Sequence, residues 1–324
     1  MSNSSLPPWT VKSSKDDHTN VDVEAVMENV GIVLFTMTVV FGITGNSLVI
    51  WVAGFKLRPK VTNVWLVNLA IADLIFCVTR VSSLIKKLFF DHWPFGEYFC
   101  RFHGFCKYAN MFCSVFLLAV ISLDRMISVW RPFFTKRRRT LYAARVVAVC
   151  VWIAAILFSS PYLFYRQVHL GENNMSKCSF EVKGEGSTLR YALYFNRFLC
   201  GFVFPFMVIL ICYIMAAIGI RRTRLAGKTR PLRILPLLVI TFFLCWGPYH
   251  CLLLVKMVDK NNAVLKIWHP LANGFAYFNS CVNPLLYFCM GLYVKPELGF
   301  NLTGICKKAL TDTDTEEQVT QSDG

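Results

Sequence analysis

The sequence predicts an all-α membrane protein, a seven-transmembrane helix bundle with a short cytoplasmic juxtamembrane helix. Three observations predict it. The 324-residue chain is 55% hydrophobic and only 16% charged, where a soluble domain carries about 25% charged residues. Seven apolar runs reach the length needed to cross a bilayer. The charges gather in short islands between those runs. A net charge of +15 raises nucleic acid as a partner. Basic loops between spans are what the positive-inside rule requires, so no nucleic-acid partner is expected.

The runs lie at approximately 31–55, 61–84, 105–127, 142–163, 191–220, 235–258 and 268–290. Lys56, Arg58 and Lys60 follow the first. Arg131, Lys136, Arg137, Arg138 and Arg139 follow the third. Arg221, Arg222, Arg224, Lys228, Arg230 and Arg233 follow the fifth. These loops are assigned to the cytoplasm. Residues 1–29 then form an extracellular tail, 30–292 the membrane domain and 293–324 a cytoplasmic tail. The chain starts polar, without the apolar core of a cleavable signal peptide. Asn3 and Asn174 head glycosylation sequons on the outer side.

Of thirteen cysteines, most lie inside spans, where they serve as small apolar packing residues. Cys100 opens the third span on its outer side, and Cys178 lies in the loop after the fourth. Both face an oxidising compartment, and a disulfide tying that loop to the third helix is expected. Cys306, beside Lys307 and Lys308, is a palmitoylation candidate.

Polar side chains inside spans need partners and usually mark function. The seventh span carries Asn279-Ser280-Cys281-Val282-Asn283-Pro284-Leu285-Leu286-Tyr287, the second carries Asp73, and Asp124-Arg125 ends the third. Lys107, Arg197 and Arg80 fall in the outer halves of their spans. Pocket-lining cations favour an anion, and arginine suits bidentate capture of a carboxylate. The competing reading has Lys107 snorkelling to the surface and Arg80 pairing with a local carbonyl. Asp73 has no catalytic partner in its layer, so an enzyme is not expected. Internal repeats of the kind transporters show are not apparent, and the seventh span lacks the lysine that retinal would need.

Taken in order, Gly45-Asn46, Leu69-Ala70-Ile71-Ala72-Asp73, Asp124-Arg125, Trp152, Pro205 with Tyr213, Cys245-Trp246-Gly247-Pro248 and Asn283-Pro284-Leu285-Leu286-Tyr287 supply a motif in each span. In these the chain resembles rhodopsin-like (class A) G-protein-coupled receptors. Its Leu48–Phe55, His92–Gly96, Arg230–Arg233 and Phe242–Trp246 runs are similar to those of a chemoattractant branch with formyl-peptide, chemerin-like and complement anaphylatoxin receptors.

The resemblance implies a plasma-membrane receptor for an anionic chemoattractant, a peptide with a free C-terminal carboxylate or else an acidic lipid mediator. It implies coupling to an inhibitory-class heterotrimeric G protein, and arrestin recruitment after phosphorylation of the tail around Thr311, Thr313 and Thr315. A non-signalling scavenger receptor is the alternative. No cofactor is expected beyond a sodium ion at Asp73, with Asn110, Ser114, Asn279, Ser280 and Asn283 converging on it. Asp124 is expected to hold Arg125. Trp246, with Phe242 one turn beneath, is the packing lever below the ligand. Pro248 and Pro284 permit kinks, and Tyr213 and Tyr287 join the activation set. Arg197 is the carboxylate anchor. Tyr108, Met111, Tyr249, His250, His269, Asn273 and Tyr277 complete the pocket with Lys107 and Arg80. Formyl-peptide receptors have an aspartate and a second arginine where this chain has Tyr108 and Leu193, which argues against formyl-methionine. Met126 after Arg125, Val294 after the last span and Pro236 in the inner sixth helix also depart from the family. A kink is expected at Pro236.

Overall fold

The computed structural model describes residues 14–170, 175–180, 186–223, 234–259 and 262–294. The first helix, α1 (Ser14–Trp51), runs on through a π-helical turn, Val52–Lys56. It begins well outward of residue 31, so part of the expected tail is helix. Between Ser14 and Val30 the chain holds neither glycine nor proline, and nothing local stops the helix. There follow α2 (Val61–Phe89), α3 (Gly96–Trp130), the short α4 (Pro132–Arg138) and α5 (Leu141–Tyr165). Pro132 opens α4, where its missing N–H costs no hydrogen bond. The fifth span is α6 (Gly186–Phe198), a π-helical turn Leu199–Val203, and α7 (Phe204–Thr223). The sixth is α8 (Ile234–Val258) and the seventh α9 (Ala263–Val294).

Six of these spans are long and apolar enough to cross a membrane on composition alone. The other, α9, packs between α1 and α8 and closes the ring. It is less apolar because it carries Asn273, Asn279, Ser280 and Asn283. The helix at the centre is α3, which packs on α2, α5 and α7 and buries Cys113, Val115 and Leu117 completely.

Away from water, polar groups must find partners in the protein, and they stitch the helices together. Asn46 Nδ2 donates to the Ser280 carbonyl at 2.8 Å, joining α1 to α9. Trp152 Nε1 donates to Asn68 Oδ1 at 2.9 Å, joining α5 to α2. Trp130 Nε1 donates to the Met215 carbonyl at 2.7 Å, joining α3 to α7.

The loop after α5 is not featureless. It forms an antiparallel hairpin, β1 (Arg166–Leu170) with β2 (Ser176–Phe180), in which Val168 faces Cys178. The Cys100–Cys178 disulfide fastens this hairpin to the first turns of α3, with a Cα–Cα distance of 5.7 Å. Trp93 adds a second fastening: its N–H donates to the Ser176 carbonyl at 2.7 Å, and Ser176 Oγ donates back to the Trp93 carbonyl at 2.9 Å. Gly96 enters α3 with φ of +74°, a left-handed turn that suits glycine.

Pro236 lies near the start of α8, and the residues before Ile234, on which a kink at this proline depends, lie outside the described residues. The prolines inside described helices on the two sides of the bundle's last turn of chain are Pro248 in α8 and Pro270 and Pro284 in α9.

Gly45 allows α1 to approach α9. A Cβ there would lie 2.7 Å from Pro284 Cβ, whereas one at Gly54 would lie an ordinary 3.8 Å from Val67 Cγ2. Gly45→Val is expected to destabilise the protein by about 1–3 kcal/mol through overpacking, and Gly54→Ala to be close to neutral. Thermal midpoints of the purified proteins check this; equal midpoints would show that α1 does not depend on the close approach.

Candidate functional site

Three clusters of polar residues lie along the bundle, and the first is at its middle. Asp73 is fully buried. Asn110 Nδ2 donates to its Oδ1 at 2.9 Å and Asn283 Nδ2 to its Oδ2 at 2.8 Å. Ser280 Oγ donates to Asn110 Oδ1 at 3.3 Å. Asn279 is buried as well, and Ser114 Oγ is buried without a partner among the described residues. No cation lies within ion-pair distance of Asp73 among the described residues. Each carboxylate oxygen keeps lone-pair capacity. A carboxylate, an amide oxygen and an orphaned hydroxyl form a donor set that fits a hard cation with oxygen ligands.

The second cluster is the outer pocket. Arg197 is 2% exposed, although it stands in a membrane span. Its Nη1 donates to Tyr108 Oη at 2.5 Å. Its guanidinium lies 4.9 Å from the ring of Tyr108, 5.1 Å from Tyr194, 5.2 Å from Tyr249 and 5.9 Å from Tyr162. Such faces stabilise a desolvated cation through their quadrupoles. The π turn that follows immediately after Phe198 sets how this end of the span is rotated, and it brings Gly201 against Met111.

Lys107 does not snorkel. It is buried, donates from Nζ to Asn273 Oδ1 at 3.0 Å, and lies 4.6 Å from the Tyr249 ring and 4.9 Å from that of Tyr277. Tyr249 therefore stands between two cations. Asn273 in turn donates to the carbonyl of His269 at 3.0 Å. Arg80 follows the local-carbonyl reading: its Nη2 donates to the His103 carbonyl at 2.6 Å, with Phe76 4.8 Å and Tyr277 5.6 Å from the guanidinium. Among the described residues, none of these three buried cations forms an ion pair.

Beneath the pocket Trp246 is fully buried, 5.7 Å from the Tyr249 ring and 6.1 Å from that of Phe242. His250 stacks on Phe202 at 4.6 Å, and neither of its ring nitrogens has a hydrogen-bond partner among the described residues.

The third cluster is at the inner end of α3. Tyr213 packs against the core nearby. The sequence pairs Asp124 with its neighbour Arg125. The structure gives Asp124 a bidentate partner in Arg139, from Nε at 2.9 Å and Nη2 at 3.1 Å. Arg125 Nη2 reaches across to Thr62 Oγ1 on α2 at 2.8 Å. In the sequence Arg139 was one basic loop residue among several, and nothing marked it out. Tyr162 and Tyr194 around Arg197 were likewise unmarked. Asn3, Asn174, Cys306, the tail threonines and the juxtamembrane segment lie outside the described residues, as does the Tyr287 side chain.

Seven helices surround a buried carboxylate, with a disulfide-held hairpin at one end and, at the other, Asp124 of the central helix held by Arg139. Residues 45–287 match the model of the 7 transmembrane receptor (rhodopsin family), and the chain belongs to that family of G-protein-coupled receptors. It is a multi-pass plasma-membrane protein and a signalling receptor rather than an enzyme. It is 36% identical to the C3a anaphylatoxin chemotactic receptor of Danio rerio, covering 94% of this chain and 84% of that one. It is 37% identical to chemerin-like receptor 1 of Mus musculus, over 80% and 75%. Against the fMet-Leu-Phe receptor of Macaca mulatta it is 34% identical, over 89% and 88%.

Tyr108→Phe removes the oxygen that accepts from Arg197 and leaves a guanidinium N–H buried without it. The variant is expected to lose about 1–3 kcal/mol of stability, read as a lower thermal midpoint of the unliganded receptor. An unchanged midpoint would show that the cage of rings alone suffices for Arg197.

Proposed function

We propose that this receptor detects an anionic chemoattractant, a peptide with a free C-terminal carboxylate, and signals through an inhibitory-class G protein. One observation carries the reading: the outer pocket buries Arg197 and Lys107 on either side of Tyr249, with aromatic faces and neutral oxygens around them and no carboxylate paired to either among the described residues. A buried cation without a counter-charge is costly unless a ligand supplies one. Arg197, with its planar fork, takes the carboxylate, and Lys107 adds a point charge. Arg80 is already engaged by the His103 carbonyl and belongs to the framework. The relatives are named for a complement anaphylatoxin, chemerin and a formylated peptide, which supports a chemoattractant ligand. Tyr108, which holds Arg197 here, takes the place where formyl-peptide receptors carry an aspartate, and supports a ligand other than formyl-methionine.

The N-terminus is read as extracellular from the basic loops after the first, third and fifth spans. Arg125 and α4 then face the G protein. Ligand contact at Tyr249 reaches Trp246 edge to face and then Phe242, and Pro248 lets α8 bend there. We assign a sodium ion to Asp73, Asn110, Ser114 and Asn283, where it supplies the counter-charge Asp73 lacks; Ser280 and Asn279 sit around it. Arrestin would engage a phosphorylated tail.

Cells expressing the receptor are challenged with chemoattractant peptides as free acids and as C-terminal amides, and with acidic lipid mediators, and cyclic AMP suppression is read. Response to a free acid but not its amide, lost in Arg197→Gln, is the expected outcome. Response only to lipids moves the ligand class. Ligand uptake without suppression points to a scavenger. Separately, added sodium is expected to weaken agonist binding to the wild type and to leave Asp73→Asn indifferent; equal sodium sensitivity in the two would remove the ion from Asp73.

A further inference from the structure

A groove of about 270 Å³ opens at the inner end of the bundle, between α2, α3, α4 and α5. It is separate from the outer pocket and from the Asp73 core. Its wall is apolar: Val61 and Trp65 from α2, Leu123 and Ile127 from α3, Phe134 from α4, Val147 from α5. Leu123, Ile127, Phe134 and Val147 are each more than one-third exposed, so the mouth lies on the outer surface of the helices, where lipid runs. The volume is just below the range of small-molecule sites, which suits one acyl chain rather than a whole two-chain lipid.

The rim carries the opposite chemistry. Arg138 and Arg139 both line the groove. Arg138 is exposed, and its side chain makes no ion pair among the described residues. Arg139 is held by Asp124, which also lines the groove. Lys136 and Arg137 on α4 add to the positive field. Inside, Trp65 is buried, and its indole N–H has no hydrogen-bond partner among the described residues. An apolar slot under two arginines, at the level where a membrane meets the cytoplasm, has the character of an anionic-lipid site.

We propose that this groove seats one acyl chain of an anionic phospholipid of the inner leaflet, with its phosphate on Arg138 and close enough to Arg139 to compete with Asp124 for it. The lipid then bears on the inner end of α3: as the phosphate draws on Arg139, Asp124 loses a bidentate partner beside Arg125. The assignment of this end to the cytoplasm rests on the orientation proposed above. The test reads lipid binding, not signalling, so its failure is distinct from failure of the ligand reading.

Full-length receptor in detergent is titrated with phosphatidylinositol 4-phosphate or phosphatidylcholine, and retained lipid is counted by native mass spectrometry. The wild type is expected to retain the phosphoinositide and not phosphatidylcholine. Arg138→Gln is expected to weaken retention about fivefold, the worth of one arginine near a membrane surface. Ala143→Phe, which fills the groove and leaves both arginines, is expected to abolish it. Retention by Ala143→Phe equal to wild type would reduce the site to surface charge attraction and overturn the proposal, as would equal retention of the two lipids. Should Ala143→Phe fold poorly, the wild type is read with the same phosphoinositide brominated on its acyl chain. Quenching of fluorescence that is absent in Trp65→Phe places the chain in the groove; no such difference overturns it.

Discussion

The carboxylate of Asp73 is the point on which the middle of the bundle depends. It takes one amide from α3 and one from α9, so three helices meet at a single charged group far from water. None of those bonds is local in sequence, and none can be lost without leaving a polar group stranded in a medium that offers no replacement. Asn46 extends the same arrangement to α1 through the Ser280 carbonyl, in the very stretch that holds Asn283. Gly45, beside it, removes the bulk that would keep α1 from Pro284. The polar contacts and the missing side chain act together: one sets the register between α1 and α9, the other their spacing.

The outer half solves a related problem differently. Arg197, Lys107 and Arg80 are buried as deeply as Asp73 but are met by ring faces and neutral oxygens. Such an arrangement holds a cation in place without neutralising it. The charge stays available to an anion arriving from outside, while the tyrosines hold the side chains in position and so reduce the ordering that binding would otherwise demand. The hairpin pinned by Cys100–Cys178 and by Trp93 keeps the rim around this chamber fixed.

Much of this was legible beforehand, because membrane sequences write their constraints plainly. The spans follow from runs of apolar residues, and the polar core from the few residues that break those runs. Asp73 and the Asn279–Asn283 stretch stood out because each is expensive in a span, and the resemblance grouped Asn110 with them. The disulfide was legible from compartment and position. What escaped notice had no such signature. The strands β1 and β2 are short and polar, and they owe their pairing to Cys100 and Trp93 rather than to any alternation of their own. Arg139 looks like every other loop cation until geometry gives it Asp124. Tyr162 and Tyr194 beside Arg197 come from α5 and α6, and no spacing in the chain links them to it.

The π turn at Leu199–Val203 divides the fifth span into two segments whose angular settings are independent. Below it, α7 presents Tyr213 to the inner core; above it, α6 presents Arg197 and Leu193 to the chamber. One residue fewer in that turn would turn the outer segment by about 100° relative to the inner one. A single-codon deletion there would swing Arg197 away from Tyr108, Tyr162 and Tyr249, carrying Tyr194 with it, while sparing the contacts at the cytoplasmic end. Ligand preference in such a bundle can thus change by indexing a helix like a dial, with each side chain kept and only its heading altered.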